Sequence, residues 1–375
     1  MTDQDIRAID RELGRLLAGG AERPGHLALN DHRDLWSAFT LSVEGGKRFR
    51  PALLIAAHRE LGGHRHAAAI QVGAAIELLH TAFVVQDDVI DGDLVRRGVP
   101  NLSGTFAQDA QRRGASPLGA RRYGDAAGIL GGDLGLLAAF RAVTRCDAPA
   151  PVIERLLDLL ESTVHASAAG ELADVRLQLG VGRTSAALED ALAVAELKTA
   201  VYSFQLPLHA GALLADATPE QLSALDEIGG LLGIGFQLFD DLLGVFGEES
   251  RTGKSNLGDL REGKRTALLA HASTTPEWSE LQTLVGRDDL GPEEGRRARA
   301  LLTRSGSRAW TEDLARWHVT TAVESAARHT LPATLVAAMR GATDTILCTA
   351  DRTLLPLDAD DPAPVHRTTR TGQPA

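Results

Sequence analysis

The sequence predicts an all-α protein, and three observations carry that prediction. Long runs rich in alanine and leucine follow a helical period, and the run 67 to 91 lacks proline. Strand-like alternation of β-branched and polar residues is nearly absent. The chain, 375 residues and 44% hydrophobic, is long enough to bury a large core. In order, the helical runs are 67 to 91 (AAAIQVGAAIELLHTAFVVQDDVID), 152 to 179, 186 to 215, 219 to 246 and 333 to 350. Interruptions are expected where glycine, proline and charge collect, at 101 to 125, 247 to 264 and 273 to 296. No composition break divides the helical body, so residues 1–352 read as one domain. The proline-rich polar tail 353–375 reads as disordered.

Composition then narrows the function. A formal net charge of −11 argues against a nucleic-acid partner. Two cysteines, Cys146 and Cys348, are too few for a disulfide framework and suit a reducing, cytoplasmic setting. The charged amphipathic start MTDQDIRAIDRELGRLL lacks the apolar region of a signal peptide. The most apolar stretches, such as GILGGDLGLLAAF at 128 to 140, are short and interrupted by Asp133, so no transmembrane helix is expected.

The segment FVVQDDVIDGDLVRRG (83 to 98) sets a cluster of acids beside two arginines. On a helix, Asp87 and Asp91 are four residues apart and share a face. Like charges there need a cation between them. Magnesium suits such a site, since it takes a few carboxylates, several waters and substrate phosphate oxygens. A second acidic pair, Asp240 and Asp241, follows the apolar run GGLLGIGFQLF. Two apolar helices that each end in paired aspartates suggest facing walls of one metal site. Bases are spread over several motifs: Lys47, Arg48 and Arg50 in GGKRFRP, Arg96 and Arg97, Lys198 in ELKTAVYSF, and Lys254 and Lys264 in GKSNLGDLREGK. Arginine forks match phosphate oxygens and lysines add point charge. Acids for magnesium and bases for phosphate describe a diphosphate site.

These motifs carry a family resemblance. GKRFRP, ELLHTAFVVQDDVIDGDLVRRG, GGDLGLLAAF, GELADV, ELKTA, FQLFDDLLG and GKSNLGDLREGK occur in this order from Gly46 to Lys264. Together they resemble the trans-isoprenyl diphosphate synthases (polyprenyl synthetases), in particular bacterial geranylgeranyl and farnesyl diphosphate synthases. The resemblance implies a single antiparallel helical bundle around a deep central cavity, usually in a homodimer. The implied reaction is head-to-tail condensation of isopentenyl diphosphate onto an allylic diphosphate. By position, Asp87 and Asp91 would hold two magnesium ions and Asp240, with Asp241 as a further candidate ligand, a third; manganese can substitute, and Asp88 belongs to the catalytic set. Arg96, Lys198 and Lys254 would grip the allylic diphosphate, and Lys264 lies in the same motif as Lys254. Lys47, Arg50, His80 and Arg97 would bind isopentenyl diphosphate. Thr199 and Gln237 would line the reacting centre.

The chemistry follows from those roles. Diphosphate leaves an allylic carbon, and metals and cations stabilise the departing charge. The Lys198 carbonyl, Thr199 Oγ1 and Gln237 present dipoles to the carbocation. The second substrate's alkene attacks, and released diphosphate accepts the lost proton. One departure concerns the second acidic motif, where a further aspartate usually follows and this chain has Gly244. The missing carboxylate is expected to loosen the third metal. The basic segment QDAQRRGASPLGARRYGD (108 to 125) has no role in this scheme.

Product length is read from the helix just before Asp87. Phe83 and Ala82 lie four and five residues upstream, with Leu79 and Leu78 one turn deeper. Family members that stop at fifteen carbons often carry aromatic pairs there. Phe83 keeps one ring, and Ala82 is expected to leave the neighbouring space open, so geranylgeranyl diphosphate (C20) is the expected product and farnesyl diphosphate (C15) the runner-up. Two other classes compete. A class I terpene cyclase needs a single diphosphate site, which would leave GKRFRP and the second arginine without a purpose. A non-catalytic subunit of a heteromeric synthase would be expected to lose the first acidic motif, which is intact here.

Overall fold

A computed structural model describes residues 2–21, 30–181, 188–248, 256–329 and 331–354. Its elements run in chain order as α1 (Asp3–Ala21), α2 (Asn30–Val43), α3 (Phe49–Glu60), α4 (His66–Ile90), a hairpin of β1 (Val95–Arg96) and β2 (Val99–Pro100), α5 (Leu102–Arg112), α6 (Pro117–Val143) and α7 (Ala150–Gln178). There follow α8 (Leu188–Ala195), a π-helical segment (Glu196–Gln205), α9 (Leu206–Leu214), α10 (Pro219–Phe246) and α11 (Gly258–Glu262). The last elements are α12 (Ala267–Ala272), α13 (Trp278–Leu281), α14 (Pro292–Arg304), α15 (Ser307–Arg328) and α16 (Ala333–Thr353). The fold class is all-α, as the periodicity predicts. The chain divides into two compact units, Met1–Glu161 with Pro207–Ala217, and Ser162–Leu206 with Thr218–Ala375.

In the first unit the core runs along α4, where Val72, Ile76, Leu78, Leu79, Ala82 and Val85 are all but removed from water. Each fully buried Val, Leu or Ile is worth roughly 1.5–3 kcal/mol, which explains why a helix this apolar lies inside. Glycines on α6 let α4 come close. A β-carbon on Gly128 would lie 2.3 Å from Val89 Cγ2, one on Gly132 2.5 Å from Gln86 Cγ, and one on Gly135 3.0 Å from Ala82 Cβ. The GGDLG signature is therefore a packing groove for the helix that carries the first acidic motif.

The segment 101 to 125, expected as an interruption, holds α5 and the start of α6. Asn101 caps α5 by accepting the Gly104 N–H at 2.8 Å, and Ser116 caps α6 with Pro117 at its first turn. Good caps start helices that a polar, glycine-bearing composition hides.

In the second unit α10 is the central helix. Thr218 and Gln221 form a capping box at its start, with Pro219 in the first turn. Its glycines again set close approaches. A β-carbon on Gly233 would lie 2.3 Å from Ala200 Cα in the π-helical segment, and one on Gly235 3.1 Å from the Ala315 carbonyl oxygen of α15. The expected helix 186–215 is broken by that π-helical segment, which spans Lys198 and Thr199. At the C-terminal end, α16 continues to Thr353 and Leu354 bridges to Gly247. Thr353 and Leu354, expected in the tail, thus belong to the described body, and the rest of the expected tail, residues 355–375, lies outside the described residues.

Among the described residues, three helices, α4, α6 and α10, are long and apolar enough to cross a membrane by length and composition, although none was expected to be. Most of α4's apolar stretch is buried inside the protein.

Candidate active site

Helix α4 ends in the acidic motif because Gly92 stops it. Gly92 adopts φ +80°, and the Asp93 N–H donates to the Asp88 carbonyl at 2.8 Å while the Gly92 N–H donates to Val89. This is a Schellman ending, which needs a residue that tolerates the left-handed region. It leaves Asp87 half-buried and Asp91 exposed, with a carboxylate oxygen from each within 4.8 Å of the other. An oxygen-only pair at this spacing suits a hard divalent cation.

The chain then turns into a two-residue hairpin. Val95 pairs with Pro100 and Arg96 with Val99, and Arg97 and Gly98 take φ +54° and +79° at the turn. Two positive φ values mark the tight turn that matches strand twist. It sends the adjacent arginines to different partners. Arg96 Nε and Nη2 both donate to Asp88 Oδ1, at 2.8 and 2.6 Å, and Nη2 lies 3.5 Å from Asp87 Oδ2. Arg97 Nη1 donates to the Gly45 carbonyl at 3.5 Å, tying the hairpin to GGKRFRP. Asp88 is 3% exposed, and burial raises its carboxyl pKa against the pull of the Arg96 bond. Asp88 thereby orients Arg96 beside Asp87.

His80 lies two turns before Asp87. Burial pushes its imidazole well below the usual range, and the charges of Arg50, Arg96 and Arg97 push the same way. The neutral ring is thus favoured, with charge from both GGKRFRP and the hairpin bearing on it. Lys47 is exposed beside them in sequence. Arg48 is committed elsewhere, donating to Glu77 at 3.1 Å, Asp10 at 2.8 Å and the Val43 carbonyl at 3.0 Å.

One turn deeper, Phe83 is half-buried, while Leu79 and Ala82 are completely enclosed. The open space expected beside Ala82 is filled. Ala82 faces bare Gly135, and a β-carbon there would also lie 2.4 Å from Phe39 Cζ of α2. Phe39 is itself fully buried and stacked on Trp36, centroids 5.5 Å apart.

In the second unit, Lys198 Nζ is held by Asp174 Oδ2 at 2.7 Å and Glu171 Oε2 at 3.0 Å, the two acids of GELADV. Gly170 of that motif is small because a β-carbon would lie 2.7 Å from the Lys198 nitrogen. Thr199 Oγ1 donates to Gln237 Oε1 at 2.5 Å, and Gln237 Nε2 donates to Asp241 Oδ1 at 2.7 Å. Thr199 and Gln237, both expected to line the reacting centre, are directly bonded, and a π-helical run at such a place is a common functional feature. Asp240 is exposed at the α10 end. Burial pushes the Asp241 carboxyl well above the usual range, and Asp259 and Asp240 add to the rise. Lys264 Nζ lies 3.2 Å from Glu262 and 3.6 Å from Asp259. Lys254 lies outside the described residues.

Residues 34–302 match the profile described as polyprenyl synthetase. The chain belongs to the polyprenyl synthetase family. It is an enzyme, a prenyltransferase of isoprenoid biosynthesis. It is 30% identical over 283 residues to a geranylgeranyl diphosphate synthase of Methanosarcina mazei, covering 75% of this chain and 80% of that one. It is 31% identical over 295 residues to a (2E,6E)-farnesyl diphosphate synthase of Mycobacterium tuberculosis, covering 76% and 75%. A crystal structure of geranylgeranyl pyrophosphate synthase from Corynebacterium glutamicum, complexed with isoprenyl diphosphate and magnesium, superposes with a TM-score of 0.84 at 26% identity, over 92% of this chain and 99% of that one.

Within this polyprenyl synthetase, the oxygen donors of Asp87 and Asp91 fit magnesium. Reasoning from sequence missed three partners: Glu171 and Asp174, which hold Lys198, and Asp259, which stands against Gly244. All three lie in motifs already singled out. The spacing of Glu171 and Asp174, three apart on a helix, was the available signal for a shared face.

Proposed function

We propose that this prenyltransferase condenses isopentenyl diphosphate with allylic diphosphates head-to-tail, with geranylgeranyl diphosphate as main product and farnesyl diphosphate as the second reading. The observation that carries the reading is the tie between the two basic motifs just after the first acidic motif: Arg97 Nη1 donates to the Gly45 carbonyl of GGKRFRP, beside the Arg96 that leans on Asp88. Cations from two separate motifs there suit a second diphosphate, which a terpene cyclase would not need. The intact Asp87, Asp88 and Asp91 argue against a non-catalytic subunit.

In this scheme Lys47, Arg50, His80 and Arg97 bind isopentenyl diphosphate. Arg96, Lys198, Lys254 and Lys264 bind the allylic diphosphate. Asp87 and Asp91, and separately Asp240 with Asp241, would hold magnesium, three ions in all, with manganese an acceptable substitute. Magnesium, when bound, supplies positive charge to the leaving diphosphate. Glu171 and Asp174 hold and direct the Lys198 ammonium. The Thr199–Gln237–Asp241 chain fixes the hydroxyl and amide dipoles that face developing positive charge, already oriented before reaction. Phe83 bounds the growing tail, with Leu79 and Ala82 behind it.

Residues 1–352 act as one synthase domain in the cytoplasm. A homodimer is supported by exposed Tyr123, Leu130 and Leu137 of α6, seven residues apart on one face. Sedimentation equilibrium tests the dimer. The product is tested by incubating enzyme, isopentenyl diphosphate and each allylic primer, then chromatographing the dephosphorylated products. A dominant C20 alcohol supports the reading. A dominant C15 alcohol favours the farnesyl reading, and a cyclic hydrocarbon from the primer alone overturns both.

A further inference from the structure

The basic segment 108–125 has a structural partner that the functional scheme does not use. Arg121, in the second turn of α6, sends Nη1 to the Gly92 carbonyl at 2.8 Å, and Asp125 holds its Nε at 2.8 Å. The next two carbonyls of the same loop are also held. Asn101 Nδ2 donates to Asp93 at 2.9 Å, and the Asn101 N–H donates to Leu94 at 3.1 Å. Three successive carbonyls, at 92, 93 and 94, are thus fixed from outside the loop. Arg121 supplies the only charged donor among the three bonds. Its guanidinium also closes on the turn, since a β-carbon at Gly92 would lie 3.3 Å from Nη2.

The loop so held is the short link between Asp87 and Asp91 and the arginines Arg96 and Arg97. Arg96 is tied to the acidic motif directly, but Arg97 is held much less firmly. Arg96 leans on Asp88, and Arg97 reaches Gly45 only at 3.5 Å, with a left-handed backbone that costs energy to keep. We propose that Arg121 is a positioning residue for diphosphate binding, holding the Gly92 turn so that Arg96 and Arg97 stay in register with Asp87 and Asp91. The inference rests on the proposed assignment of those four residues to the diphosphates. Arg121 itself need touch no substrate. A charge-assisted bond to a carbonyl is stronger than a neutral one, which suits a link that must survive the arrival of a polyanion.

The test uses the full chain and Arg121→Ala, Arg121→Lys and Asn101→Ala variants. Calorimetry measures binding of magnesium with inorganic diphosphate, steady-state kinetics gives kcat and both KM values, and thermal melting reports the fold. Arg121→Ala should weaken magnesium–diphosphate binding about tenfold and raise both KM values by a similar factor, with kcat changed less. Arg121→Lys, which keeps the charge but cannot hold Asp125 and Gly92 in one planar fork, should fall in between. If Arg121→Ala does not fold, Arg121→Lys still separates the outcomes. Unchanged binding and unchanged KM in either folded variant, with only a lowered melting temperature, would show a purely structural role and overturn the proposal. Failure of the parent protein to bind magnesium and diphosphate at all would instead overturn the assignment on which it rests.

Discussion

The carboxylate of Asp259 stands where a side chain on Gly244 would begin: a β-carbon at 244 would lie 1.9 Å from Asp259 Oδ2 and 2.6 Å from its Cγ. From sequence, Gly244 reads as a lost metal ligand. In the structure the space is already taken by a carboxylate from another element, one that also raises the pKa of Asp241.

Gly244→Asp should therefore destabilise the protein rather than reduce its need for magnesium. Overpacking costs about 1–3 kcal/mol, and a like charge beside Asp259 and Asp241 adds to that. The melting temperature should drop by several degrees, and Asp259→Gly in the same chain should recover much of it. A magnesium titration in which Gly244→Asp alone needs less metal, with no loss of stability, would contradict this.

The cations should separate by substrate. Arg50→Ala and Arg97→Ala should mainly raise KM for isopentenyl diphosphate, and Lys198→Ala should act through the allylic substrate. A charged hydrogen bond is worth about 1.5–3 kcal/mol, so each loss should be roughly 10- to 150-fold. Arg96→Ala should act through the allylic substrate too, and it also leaves Asp88 buried without its partner, so its thermal stability should drop as well. The assignment fails if all four variants affect both substrates alike.

Chain length should respond to Phe83 more cleanly than to Ala82. Phe83→Ala should give products longer than the parent's. Ala82→Phe would drive a ring toward Phe39 and the bare backbone of Gly135, so lowered stability should accompany any shortening. Chromatography and melting of the two variants check this. An Ala82→Phe protein as stable as the parent, with an unchanged product, would show that space beside Ala82 is open after all.

The folded pKa of His318 in α15 is about 4, lowered by burial, and neither ring nitrogen finds a hydrogen-bond partner among the described residues. Its folded pKa lies below the unfolded value near 6.5, so the neutral ring is favoured on folding. Its contribution is present above about pH 6.5 and is lost as pH falls through about 4, about 3 kcal/mol across the window. His318→Leu should gain on the parent as pH drops from 7 to 5 in urea unfolding. A constant difference between the two proteins would disprove the link.

How much of this was legible in the sequence depends on range. The α4, α7 and α10 helices were readable because long apolar runs repeat at helical spacing. That Thr199 and Gln237 share one site was expected only through the family resemblance, and their bond was not expected at all, since 38 residues separate them. The helices α5 and the start of α6 were hidden because single caps, Asn101 and Ser116, decide them. The filling of the space beside Ala82 could not be read, because Phe39 comes from a helix more than forty residues earlier. The glycine signatures were visible as motifs, but what each glycine makes room for depends on the neighbouring helix.

The central claim is magnesium-assisted transfer between two diphosphate substrates, and incorporation of labelled isopentenyl diphosphate tests it most directly. The purified protein with an allylic primer should incorporate label into an acid-labile prenyl product. Chelation with EDTA should abolish incorporation and added magnesium restore it. Asp87→Ala and Asp91→Ala should each cut it by several orders of magnitude while the fold persists. Incorporation that continues undiminished in metal-free buffer, or in either aspartate variant, would contradict the account.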